Sequence, residues 1–582
     1  MQRSEKAQAV VDSFRKKVNR QAALSFGICA HCGQCTDSCH YYLATGDPKM
    51  APAYKADQVR KLYKYHTDWM GKVAPKWVGG KTVVSDEDLE ALKEVVFGNC
   101  TMCRRCTLNC PMGVDMALLI RTARSLLTEV GVAPQGVLDV SKDQWEHGNQ
   151  MAVDKQDYIE TIEWLSEELQ AEVGDANAVI PLNKEGADLL YAINPREVKY
   201  APLSLLASAK VFYAVGENWT MASEGWDNTN FGLFSGDNAL GAHMGNLVFD
   251  AVERLGAKKL VTSECGHGFR ATKWESPNWT GRKLSFPIEN YLETMQGYIQ
   301  SGRLKLDPSV NAEPVTYHDP CNLGRSSGMT EEPRFVLQHC CTEFVEMHPN
   351  RADNLCCSGG GGAMSMSEYT ERRLQVAKPK ADQLAATGAK VVATACHNCV
   401  DALSDLIKRY KLDMRVKTVG ELFAEALVLP ERPARATTEA IGEVRRKVLV
   451  VDDELDTVTF LTTLLEDNGY QVVSTTDSTQ ALELIRQEKP DLLTLDLLMP
   501  RMAGTDLYRE IRAGNNGYGN LPVIIVTGIS PEDHPDLDFR QFIYQHSLPR
   551  PDGFVEKPVE KEQFLLSVRK VLESAQETQP VA

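Results

Sequence analysis

Thirteen of the sixteen cysteines stand in three spaced groups, and that spacing constrains the fold more than any other feature. The first is Cys29, Cys32, Cys35 and Cys39. The second is Cys100, Cys103, Cys106 and Cys110, followed by Pro111. The third is spread out: Cys321, the adjacent pair Cys356-Cys357, then Cys396 and Cys399. Cys265, Cys340 and Cys341 remain outside. Thiols grouped in this way hold metal more readily than they pair as disulfides, which suits a reducing compartment.

Composition narrows the setting. A chain of 582 residues with 43% hydrophobic and 24% charged content can bury several cores. A net charge of −16 argues against a nucleic-acid partner, which needs a basic patch. No run of eighteen apolar residues occurs; Leu203 to Val215, broken by Lys210, reads as a buried helix or strand. MQRSEKAQAVVDSFRKKVNR lacks the apolar core of a signal peptide. The expectation is a cytoplasmic chain, able to sit peripherally on the inner membrane through a partner subunit.

Residues 1–25 read as one amphipathic helix, with Val10, Val11, Phe14 and Val18 on one face. Helical patterns follow near 53–65 and 86–97 and over most of 116–200. From about 209, AKVFYAVG, KKLVTSECG, PVTYHDPC, TEFVEM and KVVATACHNC read as strands alternating with helices, the pattern of a parallel α/β domain. Cys265, Cys321 and Cys396 each lie just past such a run, at the edge where open α/β sheets bind ligands. Residues 431–446 read as a linker rich in Pro, Ala and charge, and 447–578 as a second βα alternation.

Cys-x2-Cys-x2-Cys-x3-Cys is the bacterial ferredoxin spacing for a [4Fe–4S] cube, in which the fourth cysteine serves the other cube. By that rule Cys29, Cys32, Cys35 and Cys110 hold one cluster, and Cys100, Cys103, Cys106 and Cys39 the other. The competing zinc reading fits poorly, because zinc prefers two Cys-x2-Cys pairs. His40 stands where proline usually follows the fourth cysteine. Flanking helices favour an α-helical ferredoxin module over 1–130 and a helical connector over 131–200.

The third group, over 201–430, resembles the cysteine-rich CCG domain of heterodisulfide-reductase-like proteins, and with the paired ferredoxin runs the likeness covers roughly 1–430. The motif is bent, since Ser358 follows the pair and Gly359 to Gly362 come after it. HDPCNLGR and CCSGGGGAMS are more narrowly similar to the iron–sulfur subunit of membrane redox complexes in sulfate-reducing bacteria. The resemblance implies a third iron–sulfur cluster and a catalytic set of Cys321, Cys356, Cys357, Cys396 and Cys399, with Cys265 beside it. It also implies a disulfide-type substrate, either a small molecule or a small protein, and a membrane cytochrome, quinone-linked or other redox subunit as partner. Adjacent thiols can bridge neighbouring irons, and four glycines let amides approach sulfur closely. His318, Asp319 and His397 are candidate proton donors or capping residues. SECGHG supplies Cys265 alone, as a pocket residue or a relic. Cys340-Cys341 reads as the start of a strand, either simply buried or with a redox or ligand role.

Residues 447–578 resemble a response-regulator receiver, doubly wound and flavodoxin-like. VLVVDDE ends in Asp452 and Asp453, LLTLDLLMPRMAG carries Asp496, IIVTG ends in Thr527, and FVEKP presents Phe554 and Lys557. The resemblance implies Mg²⁺ on Asp452, Asp453 and Asp496, and phosphorylation of Asp496 by a cognate histidine kinase. Lys557, Thr527 and Phe554 then form the switch. The long stretch 530–552 predicts a reshaped fourth helix, and no output domain is expected after the receiver.

Together these features predict an iron–sulfur oxidoreductase regulated through its receiver. Two alternatives stay open: an electron-transfer subunit of a glycerol-phosphate or lactate-type dehydrogenase, and a redox-sensing signalling protein.

Overall fold

Two parallel four-stranded sheets with the same strand order carry the region after the ferredoxin-type runs. The first contains β1 (Leu189–Ala192), β2 (Trp219–Thr220), β3 (Leu260–Thr262) and β4 (Ile288–Asn290), ordered β2-β1-β3-β4. The second contains β5 (Val315–Tyr317), β6 (Phe344–Val345), β7 (Val391–Thr394) and β8 (Arg415–Thr418), ordered β6-β5-β7-β8. Position by position, β1 matches β5 and β3 matches β7. The computed structural model describes residues 3–429 and 446–577, apart from 498, 500–502, 513–517, 528–547, 550, 558 and 560. They divide into two compact units, Met1–Arg432 and Pro433–Ala582.

In the first unit a helical layer precedes the sheets. The expected single N-terminal helix is two, Glu5–Lys17 and Arg20–Ile28. Asn19 breaks it because its side chain caps the second helix through the Ala22 amide at 2.9 Å, a better use of Asn than a helix interior. Helices Pro52–Thr67, Asp86–Lys93 and Met116–Glu129 complete the layer. Val10, Phe14, Val59, Leu89, Leu119 and Ile120 fill one core, and Ala363 and Met366 from the glycine-rich loop join it. That joint core ties the ferredoxin-type runs to the third cysteine group.

Three expectations need correction. AKVFYAVG is not a strand: its first six residues are the second half of helix Pro202–Ala214, with Ala209, Val211 and Phe212 buried, and Pro202 opens the helix where no amide is needed. The first strand instead lies earlier, at Leu189–Ala192, inside the stretch read as a helical connector. Cys340 ends helix Glu332–Cys340 and Cys341 caps it, leaving only Phe344–Val345 as strand.

The second unit holds one parallel sheet of β9 (Lys447–Val451), β10 (Gln471–Thr475), β11 (Leu492–Leu495), β12 (Val523–Thr527) and β13 (Gly553–Glu556). Its order, β10-β9-β11-β12-β13, is the flavodoxin-like 2-1-3-4-5 pattern with apolar cores on both faces. Residues 430–445, nearly all of the expected linker, and most of the segment with the expected reshaped helix fall outside the described residues.

Candidate metal centres

Eight thiols of the ferredoxin-type runs converge on two cavities, and each cavity takes its fourth thiol from the other run. Cys29, Cys32, Cys35 and Cys110 line one, with Ala53, Pro111 and Met116. Cys39, Cys100, Cys103 and Cys106 line the other, with His40, Tyr41 and Lys55. Both loops curl by the same device. His31 and Gly33 in the first, and Met102 and Arg104 in the second, hold positive φ two and four residues after the leading cysteine. The Met102 amide donates to Cys100 Sγ and the Val114 amide to Cys110 Sγ, both at 3.4 Å. Lys55 Nζ reaches Cys39 Sγ at 3.4 Å. Burial pushes the Cys100 and Cys106 thiols up, whereas a hydrogen bond from Cys356 pulls Cys103 down. An all-sulfur donor set in a largely apolar wall fits an iron–sulfur cube.

The third group begins where the second cavity ends. Cys356, Cys103 and His40 place their ligand atoms within 4.8 Å of one another. Cys357 Sγ lies 3.4 Å from Cys399 Sγ. The Ser358 amide donates to Cys356 Sγ at 3.3 Å and the Gly359 amide to Cys357 Sγ at 3.5 Å. Gly361, at φ +67°, presses on Thr101, and a Cβ there would meet the Thr101 carbonyl at 2.6 Å. Arg124 is fully buried and donates to the carbonyls of Val96 (2.8 Å), Cys100 (2.7 Å), Phe234 (3.1 Å) and Gly361 (2.6 Å). Arg325 donates to the Cys103 carbonyl at 3.0 Å and to Ala352 at 2.5 Å. Neither arginine stands out in the sequence; each acts through backbone carbonyls that no motif predicts.

Cys396 caps helix His397–Tyr410, and its thiol is lowered to about 7, chiefly by a hydrogen bond from Cys399 and also by the Gly266 amide. Gly266 opens the helix that follows β3 in the other half, so the two halves meet at this sulfur. His397 Nε2 lies 3.2 Å from Glu197 Oε1; burial opposes its charge, but Glu197 carries it up to about 9. His318 shares a buried cluster with Cys357 and Cys399. Asp319 serves instead as an anchor: Arg334 donates to it at 2.8 and 2.9 Å, and the Arg351 amide at 2.8 Å.

Matched strand order explains Cys265. It follows β3 as Cys396 follows β7, and both cysteines cap a helix. In its half Gly268 stands where Cys399 stands, and Asn194-Pro195-Arg196 stands where Asp319-Pro320-Cys321 stands. Cys265 is buried, 3.4 Å from Asn194 Nδ2 and 3.3 Å from His267 Nδ1. Cys340 and Cys341, 3.8 Å apart at sulfur, are buried in the core of the sheets.

In the second unit Asp452, Asp453 and Asp496 bring carboxylate oxygens within 4.8 Å. Lys557 Nζ sits 2.8 Å from Asp496 Oδ2 and 2.9 Å from Asp452 Oδ2. Burial raises Asp452 to about 6. Among the described residues Thr527 Oγ1 is buried without a hydrogen-bond partner, and Phe554 is half-exposed on β13. An oxygen-only set of this kind suits Mg²⁺.

Comparison with known proteins agrees with this layout. Residues 25–114 match the 4Fe-4S dicluster domain, 315–404 the cysteine-rich domain and 448–569 the response regulator receiver domain. The Hdr-like menaquinol oxidoreductase iron-sulfur subunit of Archaeoglobus profundus is 30% identical over 472 residues, covering 72% of this chain and 83% of its own. A component of the dihydromethanophenazine:CoB--CoM heterodisulfide reductase of Methanosarcina mazei is 29% identical, covering 69% of this chain and 94% of its own. A solved signal receiver domain of a putative Luxo repressor protein from Vibrio parahaemolyticus is 26% identical over 23% of this chain and 95% of its own, with a TM-score of 0.20. No helix among the described residues is long and apolar enough to cross a membrane. The chain belongs to the Hdr-like iron–sulfur oxidoreductase subunits and carries, on the same polypeptide, a receiver domain for signalling.

Proposed function

We propose that the chain takes electrons from a membrane-linked redox partner and delivers them to a disulfide-type substrate at the third cysteine group. The observation that carries this reading is the approach of Cys103 to Cys356, whose sulfurs lie within 4.8 Å of each other and so bring the ferredoxin-type thiols against the vicinal pair. Cys29, Cys32, Cys35 and Cys110 would hold one [4Fe–4S] cluster, Cys39, Cys100, Cys103 and Cys106 a second, and Cys321, Cys356, Cys357, Cys396 and Cys399 a third iron–sulfur cluster. Bound there, the clusters supply one-electron carriers. The names of the relatives, built on menaquinol and dihydromethanophenazine, favour a quinol-type donor.

Cleaving a disulfide consumes two electrons and two protons and yields two thiols. His318 and His397 lie beside the thiols and are placed to hold those protons, while the Ser358 and Gly359 amides and the apolar wall around Cys396 and Cys399 exclude water from the sulfurs. Cys265, aligned with Cys396 across the duplicated sheets, faces the same junction and lines the substrate side. In the receiver, Asp496 would be phosphorylated by a histidine kinase with Mg²⁺ held by Asp452, Asp453 and Asp496. Lys557 would pair with the phosphoryl oxygens, and Thr527 and Phe554 would report the change.

Electron paramagnetic resonance on anaerobically purified, oxidised protein tests the reading. A signal that arises only with added dithiol and vanishes in Cys396→Ser is the expected result. Two cube-type signals alone, seen only on reduction, would refute a disulfide-reducing centre.

A further inference from the structure

Three side chains near the end of helix Pro52–Thr67 stand further into solvent than any other large apolar residue among those described. Trp77 is 85% exposed, Val73 78% and Trp69 72%. Single exposed apolar residues need no explanation; three at a spacing of four do.

The segment is firmly built. Asp68 caps helix Trp69–Val73 through the Met70 amide at 2.9 Å. Gly71 is buried so tightly on the preceding helix that a Cβ would meet the Lys64 carbonyl at 1.8 Å. The Gly80 amide donates to Pro75 at 2.7 Å and the Lys81 amide to Lys61 at 3.1 Å, closing the loop back onto the helix.

Its charge runs against the rest of the chain. Residues 60–81 contain six lysines and arginines and one acid, in a protein of net charge −16. Arg60 is spent on Asp57 and Lys81 on Asp88. Among the described residues Lys64, Lys72 and Lys76 form no ion pair, and Lys72 and Lys76 are exposed beside the two tryptophans. Indole rings flanked by unpaired lysines suit the boundary of an anionic bilayer, where the ring sits at headgroup depth and the ammonium meets phosphate.

We propose that residues 61–81 dock this chain directly on an anionic lipid surface. A buried protein interface would favour arginine and disfavour lysine, which makes lipid the better occupant. Ala53 and Lys55, at the other end of the same helix, line the two thiol cavities. At 1.5 Å per residue the 16-residue helix is about 24 Å long, so docking would fix the cavities at a set height above the lipid. Lipid docking of this kind is independent of what the third cysteine group reduces.

The test is co-sedimentation of the full chain, with its iron–sulfur content intact, on vesicles of phosphatidylcholine with or without phosphatidylglycerol. Binding only to the anionic vesicles is expected, weakening by roughly 30-fold in Lys72→Ala/Lys76→Ala. Trp69→Ala/Trp77→Ala is expected to abolish binding and to remove fluorescence quenching by brominated lipid. Lys72→Arg/Lys76→Arg, which keeps the charge, is expected to bind like the parent. Unchanged visible absorbance in every variant guards against misfolding. Equal binding to neutral vesicles, no binding at all, or attachment only to membranes that retain their proteins would each overturn the proposal.

Discussion

Lys380 Nζ donates to Asn354 Oδ1 at 2.7 Å, and that bond orients the amide so that Asn354 Nδ2 faces His318 Nδ1 at 3.1 Å. The histidine must then accept at Nδ1 and carry its proton on Nε2, which is buried without a hydrogen-bond partner among the described residues, in a ring that lies within 4.8 Å of the Cys357 and Cys399 sulfurs. A buried lysine thus sets the donor that faces two thiols of the third group.

Removing that donor should make the reduced state of the third centre harder to reach, because hydrogen bonds to sulfur stabilise added negative charge. Lys380→Met keeps the buried stem and loses the donor. Redox titration followed by electron paramagnetic resonance should show a lower midpoint potential for that centre, with the two cube-type centres unmoved. In a His318→Phe background the same change should have no further effect; an additive shift would mean that Lys380 acts by another route.

Gly361→Ala should weaken the joint between the second cavity and the glycine-rich loop. The new methyl meets the Thr101 carbonyl, and φ at +67° disfavours any side chain. A loss of about 1–3 kcal/mol in thermal or denaturant unfolding of the first unit is expected. Stability equal to the parent would show that the loop can move away from Thr101 at little cost.

Asp496→Asn should abolish labelling by acetyl phosphate while leaving iron and sulfide content untouched. Labelling that survives would place the acceptor elsewhere, with Asp452 and Asp453 the next residues to replace.

Magnesium affinity of the receiver should depend on pH. Burial raises the Asp452 carboxyl to about 6, above its ordinary value, so the metal must displace a proton in acid. The carboxylate form gains population as pH rises through that value. Calorimetric titration of the full chain should show affinity climbing between about pH 5 and 7 and levelling above, by up to about tenfold per unit on the steep part. In Asp452→Asn the rise should disappear.

Spacing made much of this molecule legible. The cysteine runs foretold two four-thiol cavities because a short loop forces near neighbours together, and DD, D, T and K at strand ends foretold the acidic pocket. Local pattern failed where burial removed it. Helix Pro202–Ala214 carries Lys210 as its one charged residue and spreads its apolar residues round the axis, so neither period shows, and β1 was hidden for lack of polar alternation. Asn19 broke a helix that the apolar spacing alone would continue. Arg124, Arg325 and Lys380 were invisible because their partners are carbonyls and an amide far away in sequence. The correspondence of Cys265 with Cys396 needed the strand order, since the two halves share little beyond a cysteine and a proline at matching places.

The duplicated sheets have a consequence for how the chain survives air. The half built on β1 to β4 keeps one cysteine of the set and carries Glu197 and Asn290 among its hydrogen-bonding groups, and both sheets share one apolar core that, among the described residues, contains no thiol of the third group. Oxygen that strips the metal would then leave a standing frame, and the injury would be mended by refilling the sulfurs, with no need to refold the protein.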